Sequence, residues 1–194
     1  MTCIIGFVNK GTVWLAGDSI ASDLYNYTLC REPKVFQKGQ MIFGFTDSFR
    51  MGQLIQHSLV LPRHEAGVDD IAYLTSTFVD AVIACFKTKE HAHVENAVTT
   101  GGSFLVGYRG KLYEVVGDFS VQAATATYET VGAGWEYAKG AMHILTVAKP
   151  PSRIKLYHDP KLILAKALEA AAAHSCQVKP PWSFVSLSGI KRNE

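Results

Sequence analysis

Short, almost wholly apolar runs set the tightest limit on how this chain folds: IIGF within residues 2–9, MIFGF at 41–45 and SFLVG at 103–107. Each has the length of a strand, and none alternates apolar with polar as a strand with one wet face does. Such runs fit strands covered on both sides. They also come in turn-linked pairs. Residues 2–9 and 12–17 meet at Lys10-Gly11, KVFQ and MIFGF flank Lys38-Gly39-Gln40, and SFLVGYR leads through Arg109-Gly110 into LYEVVG. A short Gly-containing connection between β-rich runs is a hairpin signal.

Helical periodicity appears between these groups. A helix starting near Asp47 or Ser48 carries Met51, Leu54, Ile55 and Leu59 on one face. Past the breaker stretch Pro62 to Gly67, Asp69 or Asp70 caps a second, with Ile71, Leu74, Phe78, Val82 and Phe86 inward. The strand TYETVG leads to Gly132-Ala133-Gly134 and a third helix bearing Ala138, Met142 and Leu145. Asp159-Pro160, a cap followed by Pro at the first helical position, opens a fourth that runs to about His174, and SFVSLS is a last strand. Residues 19–31 read as a polar, mixed connection. Strands and helices thus come in blocks, which argues against a doubly wound parallel sheet. The expectation is one α+β domain over residues 1–194, two antiparallel sheets face to face with a helix pair outside each.

With 194 residues, 48% of them hydrophobic, the chain can bury a substantial core. Its net charge is +2 with Lys and Arg scattered, so there is no electrostatic case for nucleic acid or an anionic membrane. No apolar run reaches membrane-spanning length and no basic segment precedes an apolar one at the start. Cys3, Cys30, Cys85 and Cys176 lie far apart without a CxxC, so neither a disulfide framework nor a zinc site is expected, and the expected setting is cytoplasmic. His91-x-His93 with Glu95 falls in a polar connector without the pattern of a further ligand. Gly132-Ala133-Gly134 is a partial dinucleotide fingerprint, but Tyr137 stands where a third glycine belongs. No metal and no cofactor is called for.

The chemistry-bearing feature lies at the start. Thr2 follows Met1 directly and opens the first strand. Once Met1 is trimmed, one residue carries a hydroxyl nucleophile and an α-amine base, which ordinarily titrates at about 7.7–8.0. Such a threonine needs a nearby cation to ease formation of an alkoxide, and a carboxylate to aim that cation. Asp18, in Gly17-Asp18-Ser19 at the end of the second strand, and Lys34, at the start of KVFQ, are of those types. Cys3 would replace Thr2 as nucleophile only if two residues were removed, and it reads as a core residue.

The chain resembles the proteasome-type Ntn hydrolases: proteasome β-subunits, the HslV-type protease and, most of all, proteasome-like proteins encoded in bacterial and phage genomes. The resemblance rests on TCIIG, LAGDSIAS, PKVF, MIFGF and VGAGWEYAKGAM. Without Met1, Asp18 and Lys34 stand at the family's distances from the nucleophile. The resemblance implies a four-layer αββα sandwich, with Thr2 as nucleophile and base, Lys34 as activating cation and Asp18 as its orienting partner. It implies that Gly44 stabilises the oxyanion through its N–H, with Ser19, Gly132, Ala133 and Gly134 as supporting residues. The implied reaction is hydrolysis of amide bonds in peptides or unfolded protein, by a homo-oligomeric ring served by an ATP-dependent unfoldase. Two positions depart from the pattern. Ala133 stands where the family usually has a serine bonded to the nucleophile's amine, and the last helix offers His174 where an aspartate is frequent. The proton relay would then fall to water or to Ser175 and Ser19. The alternatives are a weak or inactive proteasome-like ring or binding protein, which Ala133 favours, and a small-molecule Ntn amidohydrolase.

Overall fold

The computed structural model describes residues 2–23, 25–91, 93–95, 98–147 and 159–189. The first hairpin joins β1 (Cys3–Asn9) to β2 (Thr12–Gly17) through Lys10 and Gly11, both at positive φ, as a tight turn matched to strand twist requires. After β3 (Ile20–Ser22) and β4 (Tyr27–Leu29) come β5 (Val35–Lys38) and β6 (Met41–Phe45). Ser48 caps α1 (Phe49–Gln53), which continues as a π-helical stretch over Leu54–Ser58. Asp69 caps α2 (Asp70–Tyr73), and the helix runs through a π-helical stretch, Leu74–Phe78, into α3 (Val79–Thr88).

Then follow β7 (His93–Glu95), β8 (Val98–Thr100), β9 (Phe104–Tyr108), β10 (Lys111–Val115), β11 (Val121–Ala123) and β12 (Tyr128–Gly132). The chain closes with α4 (Trp135–Val147), α5 (Pro160–His174) and β13 (Ser183–Ser188).

Two larger antiparallel sheets result, in the orders β12-β1-β2-β13 and β11-β10-β9-β6-β5, beside the two-stranded pairs β3-β4 and β7-β8. Three apolar clusters fill the three spaces between four layers. Ile4, Leu15, Val35, Ile42, Leu105 and Leu112 lie between the sheets. Phe43, Leu54, Phe78, Val82 and Phe104 join the second sheet to α1–α3, and Ile5, Ala16, Met142, Leu164 and Leu168 join the first to α4 and α5. Burying each large side chain contributes about 1.5–3 kcal/mol, so the inter-sheet layer alone anchors both sheets. This is the αββα sandwich expected, and β1, β6 and β9 are covered on both sides as the apolar runs required.

Some elements were not legible. The β3–β4 hairpin falls in residues 19–31, where no strand was expected, because Tyr27, Thr28 and Leu29 are exposed and leave no burial period to read. Local bonds hold it instead: Asp23 Oδ1 accepts the Tyr25 and Asn26 N–H at 2.7 and 2.6 Å, and the Cys30 N–H donates to the Ser19 carbonyl at 2.8 Å. The run Asp70–Thr88 is long and apolar enough to cross a membrane by length and composition, contrary to the expectation that no segment is. Here its Leu74, Phe78, Val82 and Phe86 pack in the core against the second sheet. The side chains of His93 and Glu95 lie outside the described residues. Among the described ones no three metal-ligating groups converge.

Candidate active site around Thr2

The fold brings the ends of β1, β2 and β6, the start of β5 and the β12–α4 loop to one place. Asp18 follows β2 and is fully buried, as is Lys34 just ahead of β5. Their side chains pair at 3.0 Å. Among the described residues the carboxylate's other bonds are to backbone: Oδ1 accepts the Cys3 N–H at 2.9 Å and Oδ2 the Ile20 N–H at 3.1 Å. Lys34 Nζ also donates to the Ile20 carbonyl and lies 5.5 Å from the Phe49 ring centre. Burial pushes Lys34 down from the usual lysine value, against the pull of Asp18. It pushes Asp18 above the ordinary carboxylate value, opposed by the Lys34 charge and the backbone donors. The lysine is thus primed to release a proton more readily than a solvated one.

Thr2 is itself buried, at 3% exposure. The peptide unit that joins it to Cys3 is held at both ends. Its N–H goes to Asp18, as above. Its carbonyl accepts the Ala133 N–H at 2.7 Å and the Thr46 hydroxyl at 3.4 Å. Gly132, at φ +90, makes this possible: a Cβ there would lie 1.8 Å from the Thr2 carbonyl oxygen. Gly132-Ala133-Gly134 is therefore a close-approach loop for β1. Ala133, which lacks the hydroxyl expected at its position, serves through its main chain.

Gly44 is placed differently from the expectation. The Phe45 N–H donates to the Lys34 carbonyl at 3.1 Å and the Thr46 N–H to the Ser103 carbonyl at 3.4 Å. Strand alternation then turns the Gly44 N–H toward its register partner on β9, Leu105, and into the ladder. The role this geometry gives Gly44 is spacing, since a Cβ would sit 2.6 Å from Ile4 of the facing sheet. Ser19 lies beside the pair through its main chain, accepting from Cys30. His174 is exposed and lies tilted against the Tyr137 ring, with ring centres 5.0 Å apart, on the outer helix layer. Ser175 accepts the Gln177 N–H at 3.3 Å as a local cap. Neither joins Thr2. Burial pushes the Cys3 thiol up to about 12, with Asp18 adding to the effect, so Cys3 stays protonated and is no rival nucleophile.

Thr46, Asp47 and Ser103, none of them anticipated, complete the surroundings. Successive residues at the end of β6 face opposite ways. Phe45 lines a cleft of about 260 Å³ with Glu32, Pro33, Phe49 and Arg50, whereas Thr46 lines one of about 300 Å³ with Asp47, Ser103, Glu114, Glu129 and Gly132.

No family model and no curated relative matches the sequence. Solved structures do match. The BPH protein of Thiobacillus denitrificans superposes at a TM-score of 0.76 with 16% identity, covering 97% of this chain and 98% of that one, and is also solved in complex with epoxomicin. HslV of Trypanosoma brucei gives 0.66 and 17%, covering 96% and 99%. Anbu of Pseudomonas aeruginosa, solved as a helical assembly, gives 0.61 and 14%, covering 97% and 81%. At these identities the likeness is one of fold, and it identifies the sandwich as the proteasome-type Ntn-hydrolase fold.

Proposed function

We propose that this protein is an N-terminal threonine hydrolase of amide bonds, acting on peptides or unfolded protein once Met1 has been removed. The observation that supports this most is the clamped Thr2–Cys3 peptide lying against a fully buried Asp18–Lys34 pair. Burying two charges is costly, and a purely structural position would be filled as well by apolar residues. Beside an N-terminal nucleophile the same pair has a use.

In this reading the Thr2 Oγ attacks the substrate carbonyl while the free α-amine takes its proton. The amine then returns that proton to the departing nitrogen, which leaves an acyl ester on Thr2. Water, deprotonated by the same amine, hydrolyses the ester and restores the enzyme. Lys34 stabilises the developing alkoxide, and Asp18 fixes Lys34 while holding the first strand by the Cys3 N–H. The two clefts parted by the β6 end suit an extended substrate with side chains on either side.

The setting proposed is cytoplasmic, with the chain in a homo-oligomer, a ring or related assembly, and an ATP-dependent unfoldase as supplier of substrate. The helical assembly formed by the Anbu protein of the same fold supports the oligomer. A non-catalytic ring or binding protein is the reading that the missing Ala133 hydroxyl favours.

Intact mass of the native protein before and after epoxomicin treatment tests the proposal. Loss of Met1 and one adduct per chain, absent in Thr2→Ala, are the expected results. Retention of Met1, or an adduct that persists in Thr2→Ala, would overturn the threonine mechanism. Absence of any adduct on a Met1-free chain would move the assignment to the non-catalytic reading.

A further inference from the structure

Resting on that reading, we infer that Thr46 is a positioning residue for Thr2, and that with Asp47 it supplies a hydroxyl and a carboxylate from the β6–α1 junction. The Thr46 side chain is buried at 3% exposure, and its hydroxyl stands 3.4 Å from two acceptors, the Thr2 carbonyl and Asp47 Oδ1. A hydroxyl has one proton to give. Given to the Thr2 carbonyl, it completes with the Ala133 N–H a two-donor grip on that oxygen. The Asp18 carboxylate holds the opposite edge of the same peptide through the Cys3 N–H at 2.9 Å.

Three elements therefore fix one peptide plane, and the plane sets the direction from which the Thr2 amine and Oγ leave the backbone. Removing the Thr46 contact frees one side of that plane. Asp47 is in turn fixed, because its Oδ2 accepts the Ser103 N–H at 3.0 Å and its backbone takes the left-handed φ of +61 at the strand end. Only a residue that tolerates this conformation can present a carboxylate so close to the preceding residue's hydroxyl.

The cleft adds a second consequence. Thr46 and Asp47 line the 300 Å³ cleft with Ser103, Thr130 and Gly132, a polar volume roomy enough for water. The hydroxyl that grips the Thr2 carbonyl therefore borders a space from which the hydrolytic water of the second step can come. The Thr46–Asp47 pair stands beside Thr2 without any contribution from the Ala133 side chain or from the last helix.

The test compares Thr46→Val, which keeps the shape and loses the hydroxyl, with Thr46→Ser, which keeps the hydroxyl, in the full chain. Two readouts are taken: the rate of epoxomicin labelling by intact mass, and hydrogen exchange of the peptide containing the Ala133 amide. Thr46→Val is expected to slow labelling about tenfold, as small misplacements of a nucleophile do, and to lower protection of that amide. Thr46→Ser should restore both to within about twofold. If Thr46→Val matches wild type in both readouts, or if Thr46→Ser is as impaired as Thr46→Val, the inference falls and the residue only fills space. If wild type itself is not labelled, the threonine mechanism fails instead. The exchange data still decide whether Thr46 holds the Thr2 peptide, and unchanged protection in Thr46→Val then overturns the inference.

Discussion

Two ionic contacts in this protein have nearly the same length and opposite physics. Lys34 and Asp18 meet at 3.0 Å with neither side chain exposed, whereas Asp70 meets Arg109 and Lys111 at 3.1 and 3.2 Å at the start of α2, where both cations reach solvent. Burial works against the charge of both carboxylates. At Asp70 the hydrogen bonds from Lys111 and Arg109 outweigh it and the carboxyl falls below its usual value. At Asp18 burial prevails and the carboxyl rises. The outer contact is thus a modest stabiliser. The inner one is costly to bury, and on the proposed mechanism it is kept beside Thr2 because a cation of lowered proton affinity has a use there.

The largest effect that can break this contrast is removal of the inner cation. Lys34→Met is expected to reduce epoxomicin labelling by about 10³-fold or more, the scale for loss of a group acting on a developing charge. It should also cost about 3–5 kcal/mol in a denaturant titration, because Asp18 is left buried and unpaired. Replacing both partners, Asp18→Leu with Lys34→Met, removes the unpaired charge but leaves the Cys3 and Ile20 N–H groups without their acceptor, so it should recover only part of that stability and none of the labelling. A double variant no more stable than Lys34→Met would show that the pair is structural after all.

Acid separates the two carboxylates more gently. Asp70 has a lowered folded value, so its contribution is full above the unfolded value of 3.8 and is lost as pH falls through the folded one. Asp18 has the reverse sign. Its folded value lies above 3.8, so as pH falls through that window the folded state takes up the proton first and stability does not drop on its account. On the proposed mechanism labelling needs Asp18 charged to aim Lys34, and it should therefore decline at a pH where the melting temperature is still flat. Parallel loss of both would mean that Asp18 is depressed like Asp70.

What could be read in advance follows the same division. The sandwich was legible because β1, β6 and β9 are covered on both sides and its helices carry strong caps: Ser48, Asp69 and Asp159 each accept the N–H that their position calls for. Asp18 and Lys34 were legible as types at telling distances from Thr2. Thr46 was not, since a threonine after an apolar strand has no local signature, and its contact with Thr2 spans 44 residues of sequence and the gap between two sheets. The oxyanion role expected of Gly44 depended on which way one N–H faces. That is set by strand register with β5 and β9, and no residue type encodes it. Ala133 lacks the hydroxyl expected at its position, and the contact it does make uses the N–H that every residue but proline has, so no residue type could announce it.

The smallest expected effect lies at the outer contact. Asp70→Asn removes the charge but leaves an acceptor for Arg109 and Lys111, and Lys111 is 61% exposed, so screening by water already weakens its share. The loss should be about 0.5–1 kcal/mol, shrinking further in 1 M salt as surface attraction is screened. Labelling of Thr2 should stay at the wild-type rate, because Asp70 anchors α2 to the β9–β10 turn on the far side of the second sheet from the helix pair α4 and α5. A loss of several kcal/mol would place Asp70 among the buried, costly charges and erase the distinction drawn between the two sites. A fall in labelling at unchanged stability would instead couple the turn at Arg109 to Thr2 through β9 and β6, the two strands whose ends carry Ser103 and Thr46.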